Sequence, residues 1–364
     1  MTKILHIITD SNIGGAGHQI LALIGAMDTS AFHNEVILPI NALLSPLLAK
    51  RGIDFTEVMH IDGRSFSLTG IKMLHKMIKV RAPDIVHTHG SLSGRIAARM
   101  YRRCKIVHTR HSVFDLPAWR RCFPVRRLSG FINNIFSDLI IAVSPAAWDN
   151  LLQMGTAERK IRLVYNGVPV VQASVAGLRE KYGISSDAFV LANIARLAEV
   201  KGHDDVLDAA KALPQNILVL VAGDGPRRAH LQERINSEGI SGVRLLGFID
   251  AVEEVIALSD MLLNASFGTE ATSMALIQGM SAGRPAVATD FGGNPYVILD
   301  GVNGLITPIR NPKALADAII KLYSDPELYK RLSKRARQVY EERFTDKKMA
   351  SETEAVYGEL LTER

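Results

Sequence analysis

Two cations five residues apart, Arg196 and Lys201, stand directly after the apolar run Phe189–Ala195 and just before Gly202. A forked guanidinium and a point-charge ammonium beyond the end of a strand suit neutralisation of a diphosphate. The same pair also reads as two surface cations on a solvated loop. Further along, the loop Asn264–Thr272 leads into a helical pattern beginning at Ser273, Met274 and Ala275. The first amides of a helix have no partner within it, so they are ready donors to phosphate or sugar hydroxyls. Glu270 stands before that turn, and Gln278 follows about one and a half turns into the helix.

Weaker signals surround these. Gly223-Asp224-Gly225-Pro226 follows the run Ile217–Ala222, and Gly247-Phe248-Ile249 follows Val243–Leu246, where an aromatic at a strand end could border a base. Near the start, Ile13-Gly14-Gly15-Ala16-Gly17-His18 follows the run Lys3–Thr9. Glycines there let backbone amides approach an anion, or simply make a tight turn into a helix. The spacing is not the dinucleotide fingerprint, and Pro39 and Asn41 stand where its ribose-binding acid would be.

These positions need strands that end and helices that begin beside them, and the chain supplies both. Strands are expected at Lys3–Thr9, Glu35–Pro39, Asp84–His87, Lys105–Thr109, Asp138–Val143 and Arg162–Tyr165, with amphipathic stretches such as Ile71–Val80 and Leu92–Arg102 between them. The pattern pauses after Asn166-Gly167, where Val168–Ala188 holds one short polar helix, Ala176–Tyr182. It restarts with strands at Phe189–Ala195, Ile217–Ala222, Val243–Leu246, Met261–Asn264 and Ala286–Thr289. Strand–helix alternation of this kind specifies an α/β class with parallel sheets covered on both faces. The expected domains are residues 1–168 and 169–345, with a last helix near Lys347–Leu361 that crosses back to the first.

With 47% hydrophobic and 22% charged residues, the 364-residue chain is globular and long enough for two cores of about 150–200 residues. No apolar run reaches the ~18 residues that span a bilayer, and MTKILHIITD reads as a first strand, not a signal peptide. Cys104 and Cys122 are too few for a disulfide framework, which suits a reducing cytoplasm. Their spacing with His108 and His111 fits no common zinc site, and no metal ligand set is expected. His87 and His89 alone make a thin metal site; packing and hydrogen bonding are expected of at least one, and His203 is expected to start a helix. The net charge of +6 favours anionic partners, but no basic–aromatic interleaving points to nucleic acid.

Taken in order, Gly14-Gly15, Asp84-Ile85-Val86-His87-Thr88-His89, Asn166-Gly167-Val168, Arg196…Lys201-Gly202, Gly223-Asp224-Gly225 and Glu270…Gly283-Arg284-Pro285…Gly292-Gly293 form a series. It resembles the retaining glycosyltransferases of family 4. The resemblance runs from about residue 4 to residue 345 and implies a GT-B fold, two Rossmann-like domains with parallel sheets facing across a deep cleft. It implies that Arg196 and Lys201 grip the donor diphosphate, that Gly14 and Gly15 lie against donor phosphate and acceptor, and that His111 lies near the donor sugar. Glu270 matches a sugar-contacting glutamate. The amides of Ser273, Met274 and Ala275 match a helix start on phosphate and sugar, while Asn166, Gly223, Phe248 and Ile249 fall within donor-binding stretches.

The chain departs from the family's pattern at Gln278, where a carboxylate usually meets the ribose, and in Ala271-Thr272-Ser273, where Gly-x-Pro is usual. An amide oxygen still accepts a hydrogen bond there, at a loss of about 1 kcal/mol. The implied activity is metal-independent, cofactor-free transfer of a sugar from a UDP-hexose or UDP-N-acetylhexosamine to a cell-envelope glycan or lipid-linked acceptor. A catalytically weakened paralogue that only binds nucleotide sugar, and an epimerase on the same fold, are the alternatives. The stretch Phe114–Arg127 mixes aromatics with arginines and suggests peripheral docking on anionic lipid at the inner face of the plasma membrane, as well as a plain solvated loop.

Overall fold

The computed structural model describes residues 1–63, 65–113, 124–172 and 176–362. The chain divides into two compact units, Met1–Gly167 with Asp346–Arg364, and Val168–Thr345.

The first unit is a seven-stranded parallel sheet in the order β3-β2-β1-β4-β5-β6-β7. Its strands are β1 (Thr2–Ile8), β2 (Phe32–Pro39), β3 (Asp54–Val58), β4 (Ile85–His89), β5 (Lys105–Arg110), β6 (Leu139–Ala142) and β7 (Ile161–Leu163). Between them run α1 (Gly15–Ala26), α2 (Ser45–Lys50), α3 (Leu68–Arg81), α4 (Leu92–Tyr101), α5 (Val125–Phe136) and α6 (Pro145–Gln153). Side chains alternate across each strand. Ile4, Ile85 and Val107 therefore enter one core with Leu23 of α1, while Leu5, Val86 and Ile106 enter another with Leu74 of α3 and Ala97 of α4. Ser67 and Ser91 cap α3 and α4 by accepting from Gly70 N and Gly94 N at 3.1 and 3.0 Å.

The second unit has a six-stranded parallel sheet in the order β10-β9-β8-β11-β12-β13. The strands are β8 (Phe189–Ile194), β9 (Ile217–Ala222), β10 (Val243–Gly247), β11 (Met261–Asn264), β12 (Ala286–Thr289) and β13 (Gly304–Thr307). Its helices are α7 (Leu178–Lys181), α8 (His203–Ala210), α9 (Arg228–Ser237), α10 (Val252–Leu258), α11 (Met274–Ser281), α12 (Asn294–Val297), α13 (Pro312–Ser324) and α14 (Pro326–Arg343). Leu191, Val219, Val221, Met261 and Val287 share one core with Val206 and Leu207 of α8 and Ile319 of α13.

The last helix, α15 (Asp346–Thr362), packs with the first unit. Met349, Val356, Tyr357 and Leu360 join the core of Ile4, Ile85 and Leu139, and Arg162 pairs with Glu359. Tyr357 is fully buried, its ring 5.9 Å from that of Phe32 and its hydroxyl 2.6 Å from His87 Nδ1.

Two strands escape the sequence pattern. β3 reads Asp-Phe-Thr-Glu-Val, too polar for the expected apolar run, because an edge strand leaves part of its surface in water. β13 is an edge strand of the second sheet and opens on a glycine. β4 also extends two residues beyond the expected end at His87, which puts His87 and His89 on one face.

Because Tyr357 both fills core volume and bonds a buried imidazole, Tyr357→Ala should lower first-unit stability by about 3–5 kcal/mol. Tyr357→Phe should cost about 1–3 kcal/mol through the unpaired His87 nitrogen. Hydrogen exchange should show the loss at β1 and β4 amides, with β8 and β11 unchanged; equal loss in both sheets would contradict this assignment of α15.

Candidate functional site

In the second sheet the strand order reverses between β8 and β11, and crevices at such reversals are where open α/β sheets bind ligands. Both charged motifs follow those two strands. After β8 the chain is clipped by Leu197 N–H donating to Asp224 O at 2.9 Å, and Arg196 is left exposed. Among the described residues no carboxylate pairs with its guanidinium. A 3-10 turn, Glu199–Lys201, then ends at Gly202 with φ +70°. A methyl at Gly202 would overlap the Ala265 carbonyl oxygen, so glycine lets this turn lie on the loop after β11.

That contact brings Lys201 to Glu270. Lys201 Nζ donates to Glu270 Oε2 at 2.8 Å and to Thr269 O at 3.0 Å. An ammonium has three donors, so one remains for a ligand. Glu270 is 9% exposed, and its Oε2 also accepts from Ser266 Oγ at 3.0 Å and Asn264 Nδ2 at 3.3 Å. One carboxylate oxygen thus carries the side-chain bonds found among the described residues, and Oε1 retains its acceptor capacity.

Asn264 is the buried joint of the site. Its Nδ2 also donates to Ser273 Oγ at 3.1 Å, and its Oδ1 accepts from Ser266 N at 3.0 Å and Asn294 Nδ2 at 3.3 Å. Ser273 caps α11 by accepting from Leu276 N at 3.4 Å, leaving the first-turn amides of Met274 and Ala275 for an anion or hydroxyl. Met274, Ala275 and Gln278 are the partly open positions of the helix's first turns, with Gln278 one turn beyond Met274. Gly293 presses on the Glu270 loop, donating its N–H to Glu270 O at 2.9 Å. The supporting residues Asn264, Ser266, Thr289 and Asn294 carry no sequence signal except a polar residue closing an apolar strand, Met261-Leu262-Leu263-Asn264.

The other expected donor-side residues are spread more widely. Phe248 is 53% exposed just after β10, with Ile249 half-buried beside it. Gly223 follows β9, donates its N–H to Gly247 O at 2.8 Å, and lies against the Ala195 backbone. His203 starts α8 as expected and is buried.

The remaining four expected residues belong to the first unit. Its sheet reverses between β1 and β4. Gly14 is the N-cap of α1 after β1, Gly15 begins that helix, and His111 directly follows β5. Asn166 is 4% exposed, with Oδ1 making no hydrogen bond.

His111 is not isolated. Its Nε2 lies 2.9 Å from His89 Nδ1, His89 Nε2 lies 3.2 Å from His6 Nδ1, and His6 Nε2 lies 3.1 Å from Asn34 Oδ1. His87 stacks on His89 with centroids 4.4 Å apart and bonds Tyr357 and Thr109, each at 2.6 Å. The third ring, His6, comes from β1, whose register sets it opposite His87. Ring nitrogens of His6, His87 and His89 lie within 4.8 Å of one another. All of them already have hydrogen-bond partners, and among the described residues no carboxylate joins the group, so the cluster suits an imidazole network better than a metal. Burial holds His6 and His111 down at about 4, and drives His87, His89 and His108 well below the ordinary range. Cys104 stands apart, its thiol pushed up to about 12 by burial. Cys122, like most of Phe114–Arg127, lies outside the described residues.

Residues 13–172 match the family described as Glycosyltransferase Family 4, and residues 175–339 match Glycosyl transferases group 1. The chain belongs to the group 1, family 4 glycosyltransferases. It is similar to the N-acetyl-alpha-D-glucosaminyl L-malate synthase of Bacillus anthracis, 29% identical over 76% of this chain and 75% of that protein. It is also similar to the UDP-Gal:alpha-D-GlcNAc-diphosphoundecaprenol alpha-1,3-galactosyltransferase of Escherichia coli, 23% identical over 88% of this chain and 90% of that one. Among solved structures, Anabaena Alr3699/HepE in complex with UDP and glucose superposes with a TM-score of 0.85, at 20% identity, covering 99% of this chain and 100% of that one. The fold is GT-B, and this glycosyltransferase acts on nucleotide-sugar donors.

The buried imidazoles give the enzyme an acid-sensitive first unit. They are neutral when folded but titrate near 6.5 when unfolded, so between pH 6.5 and their folded values only the unfolded chain takes up protons. Stability is complete above pH 6.5 and should fall by about 2 kcal/mol per buried histidine at pH 5. Urea unfolding at pH 7.5, 6 and 5, followed by exchange of β4 and β5 amides, checks this. A flat profile would mean that these rings are charged when folded.

Proposed function

We propose that this glycosyltransferase moves a hexose or N-acetylhexosamine from a UDP donor, with retention and without metal, to a cell-envelope glycan or lipid-linked acceptor. The observation that carries the reading is the Lys201–Glu270 pair at 2.8 Å beside the exposed Arg196 and the open first turn of α11. A sugar–diphosphate bond breaks as negative charge grows on the leaving oxygen. Arg196, the remaining Lys201 donor and the Met274 and Ala275 amides are preorganised to receive that charge. Glu270 Oε1 holds the sugar, and the first-unit residues His111 and Gly14-Gly15 keep the sugar, phosphate and acceptor roles that the family resemblance implies. Phe248 and Ile249 border the base, and Gln278 accepts from the ribose. Asn166 and Gly223 shape the backbone beside these groups.

In the transfer, the acceptor hydroxyl oxygen bonds to the anomeric carbon on the face from which the diphosphate departs. The hydroxyl proton passes to the leaving phosphate oxygen, so no enzymic nucleophile is required. The UDP preference is supported by the UDP-bound Anabaena structure, and the lipid-linked acceptor by the diphosphoundecaprenol named for the Escherichia coli relative.

Cytoplasmic action at the inner membrane face is supported by α5. Leu128 and Phe131 are 60% and 59% exposed on one face of this helix and Ile135 continues the same stripe, with Arg126 and Arg127 exposed at its start. An amphipathic helix with apolar and cationic groups together suits an anionic bilayer surface. Among the described residues no helix is long and apolar enough to cross a membrane.

Thermal stabilisation by UDP, GDP, ADP and their sugar conjugates tests the donor. The matching nucleotide at ~100 times its dissociation constant adds about 2.7 kcal/mol. In the same assay series with excess chelator, turnover persists, and Arg196→Ala loses at least about 3 kcal/mol of transition-state stabilisation, roughly 150-fold in kcat/KM. No nucleotide response would sink the reading. A loss of tenfold or less would make Arg196 peripheral.

Co-sedimentation with phosphatidylglycerol vesicles tests the membrane face. Binding at low salt should weaken at high salt and in Phe131→Asp; absence of binding at both salts removes the membrane from the proposal.

A further inference from the structure

The chain Asn34–His6–His89–His111 has a polarity as well as a geometry. A neutral imidazole has one N–H and one bare nitrogen, and each bond in the chain needs one of each. Asn34 Oδ1 is an acceptor, so His6 carries its proton on Nε2 and leaves Nδ1 bare. His89 must then donate from Nε2 to His6, and His111 from Nε2 to His89 Nδ1. The rule passes the choice made at Asn34 through three rings to His111. Reversing the Asn34 amide would invert every bond, so this single side chain holds the tautomer of them all.

We propose that Asn34, His6 and His89 are positioning residues that fix His111 as the Nε2–H tautomer, presenting its bare Nδ1 as an acceptor for a donor-sugar hydroxyl. The proposal rests on the reading above that His111 meets the sugar. The surroundings enforce neutrality: His6 is fully buried, His89 is 3% exposed, and His87 stacks on His89 and lies tilted against His6, itself held by Thr109 and Tyr357. His111 alone is half-buried at the end of β5, so the chain runs from a partly open asparagine on β2 to a partly open imidazole three strands away. Among the described residues His111 Nδ1 has no hydrogen-bond partner, which is the state that an incoming hydroxyl requires.

The test is long-range proton–nitrogen NMR of the full chain labelled with 15N-histidine, at pH 8, combined with donor kinetics. His111 should show Nε2–H with bare Nδ1 in the native protein and in Asn34→Asp, whose carboxylate can only accept. In Asn34→Leu and in His89→Phe the His111 signals should become those of mixed tautomers. kcat/KM should fall roughly tenfold in Asn34→Leu and be retained in Asn34→Asp. Should His89→Phe fail to fold, the half-buried Asn34 variants still decide. A native His111 protonated on Nδ1, or a tautomer indifferent to Asn34→Leu, overturns the chain. Tautomers that respond as expected while His111→Ala keeps full turnover would uphold the chain and overturn the placement of His111 at the sugar.

Discussion

A carboxylate left with 9% of its surface in water, as Glu270 is, costs several kcal/mol unless charge and hydrogen bonds compensate. The architecture of the second unit's site follows from that requirement. Lys201 must come close, so the turn after β8 has to lie on the loop after β11, and Gly202 is the residue that permits it. Ser266 and Asn264 must donate to the same oxygen, so β11 ends in a polar residue among aliphatic ones. Asn264 then ties Glu270 to the cap of α11, so a helix start and a carboxylate face the same space. The internal bonds all converge on Oε2, so one side chain is anchored through a single carboxylate oxygen.

The first unit solves a related problem without charge. Its polar cluster consists of the imidazoles of His6, His87 and His89, a hydroxyl from α15 and a threonine, all withdrawn from water and hydrogen-bonded, with half-buried His111 at its end. Neutrality is what makes this tolerable, since a buried imidazolium without a carboxylate would be strongly disfavoured. It also explains why α15 belongs with this unit although 178 residues of the other unit precede it, Val168–Thr345: Tyr357 supplies both apolar volume and the partner of His87.

The two units share a logic that the family relationship makes intelligible. In each sheet some of the residues proposed to act follow a strand beside the order reversal, Gly14 and Gly15 after β1, Arg196 and Lys201 after β8 and Glu270 after β11, while His111 follows β5. Exposed Arg196 contrasts with Lys201, which pairs with Glu270 and the Thr269 carbonyl, so the two cations of one short loop have different surroundings.

By itself the sequence determined the class of fold, the family, and most strands, because apolar runs of period two and glycine-marked turns are local properties of the chain. It also marked Arg196, Lys201, Glu270 and Ser273 as a set, since each sits at a strand end or helix start. The edge strand Asp54–Val58 stayed hidden because it has no need to be apolar throughout. Only the tertiary structure decided that Lys201 reaches Glu270, that Asn264 joins Glu270 to Ser273, and that His6 and Asn34 extend the line begun by His89 and His111. Those partners lie on different strands, and their meeting depends on sheet order and register, which no local pattern encodes.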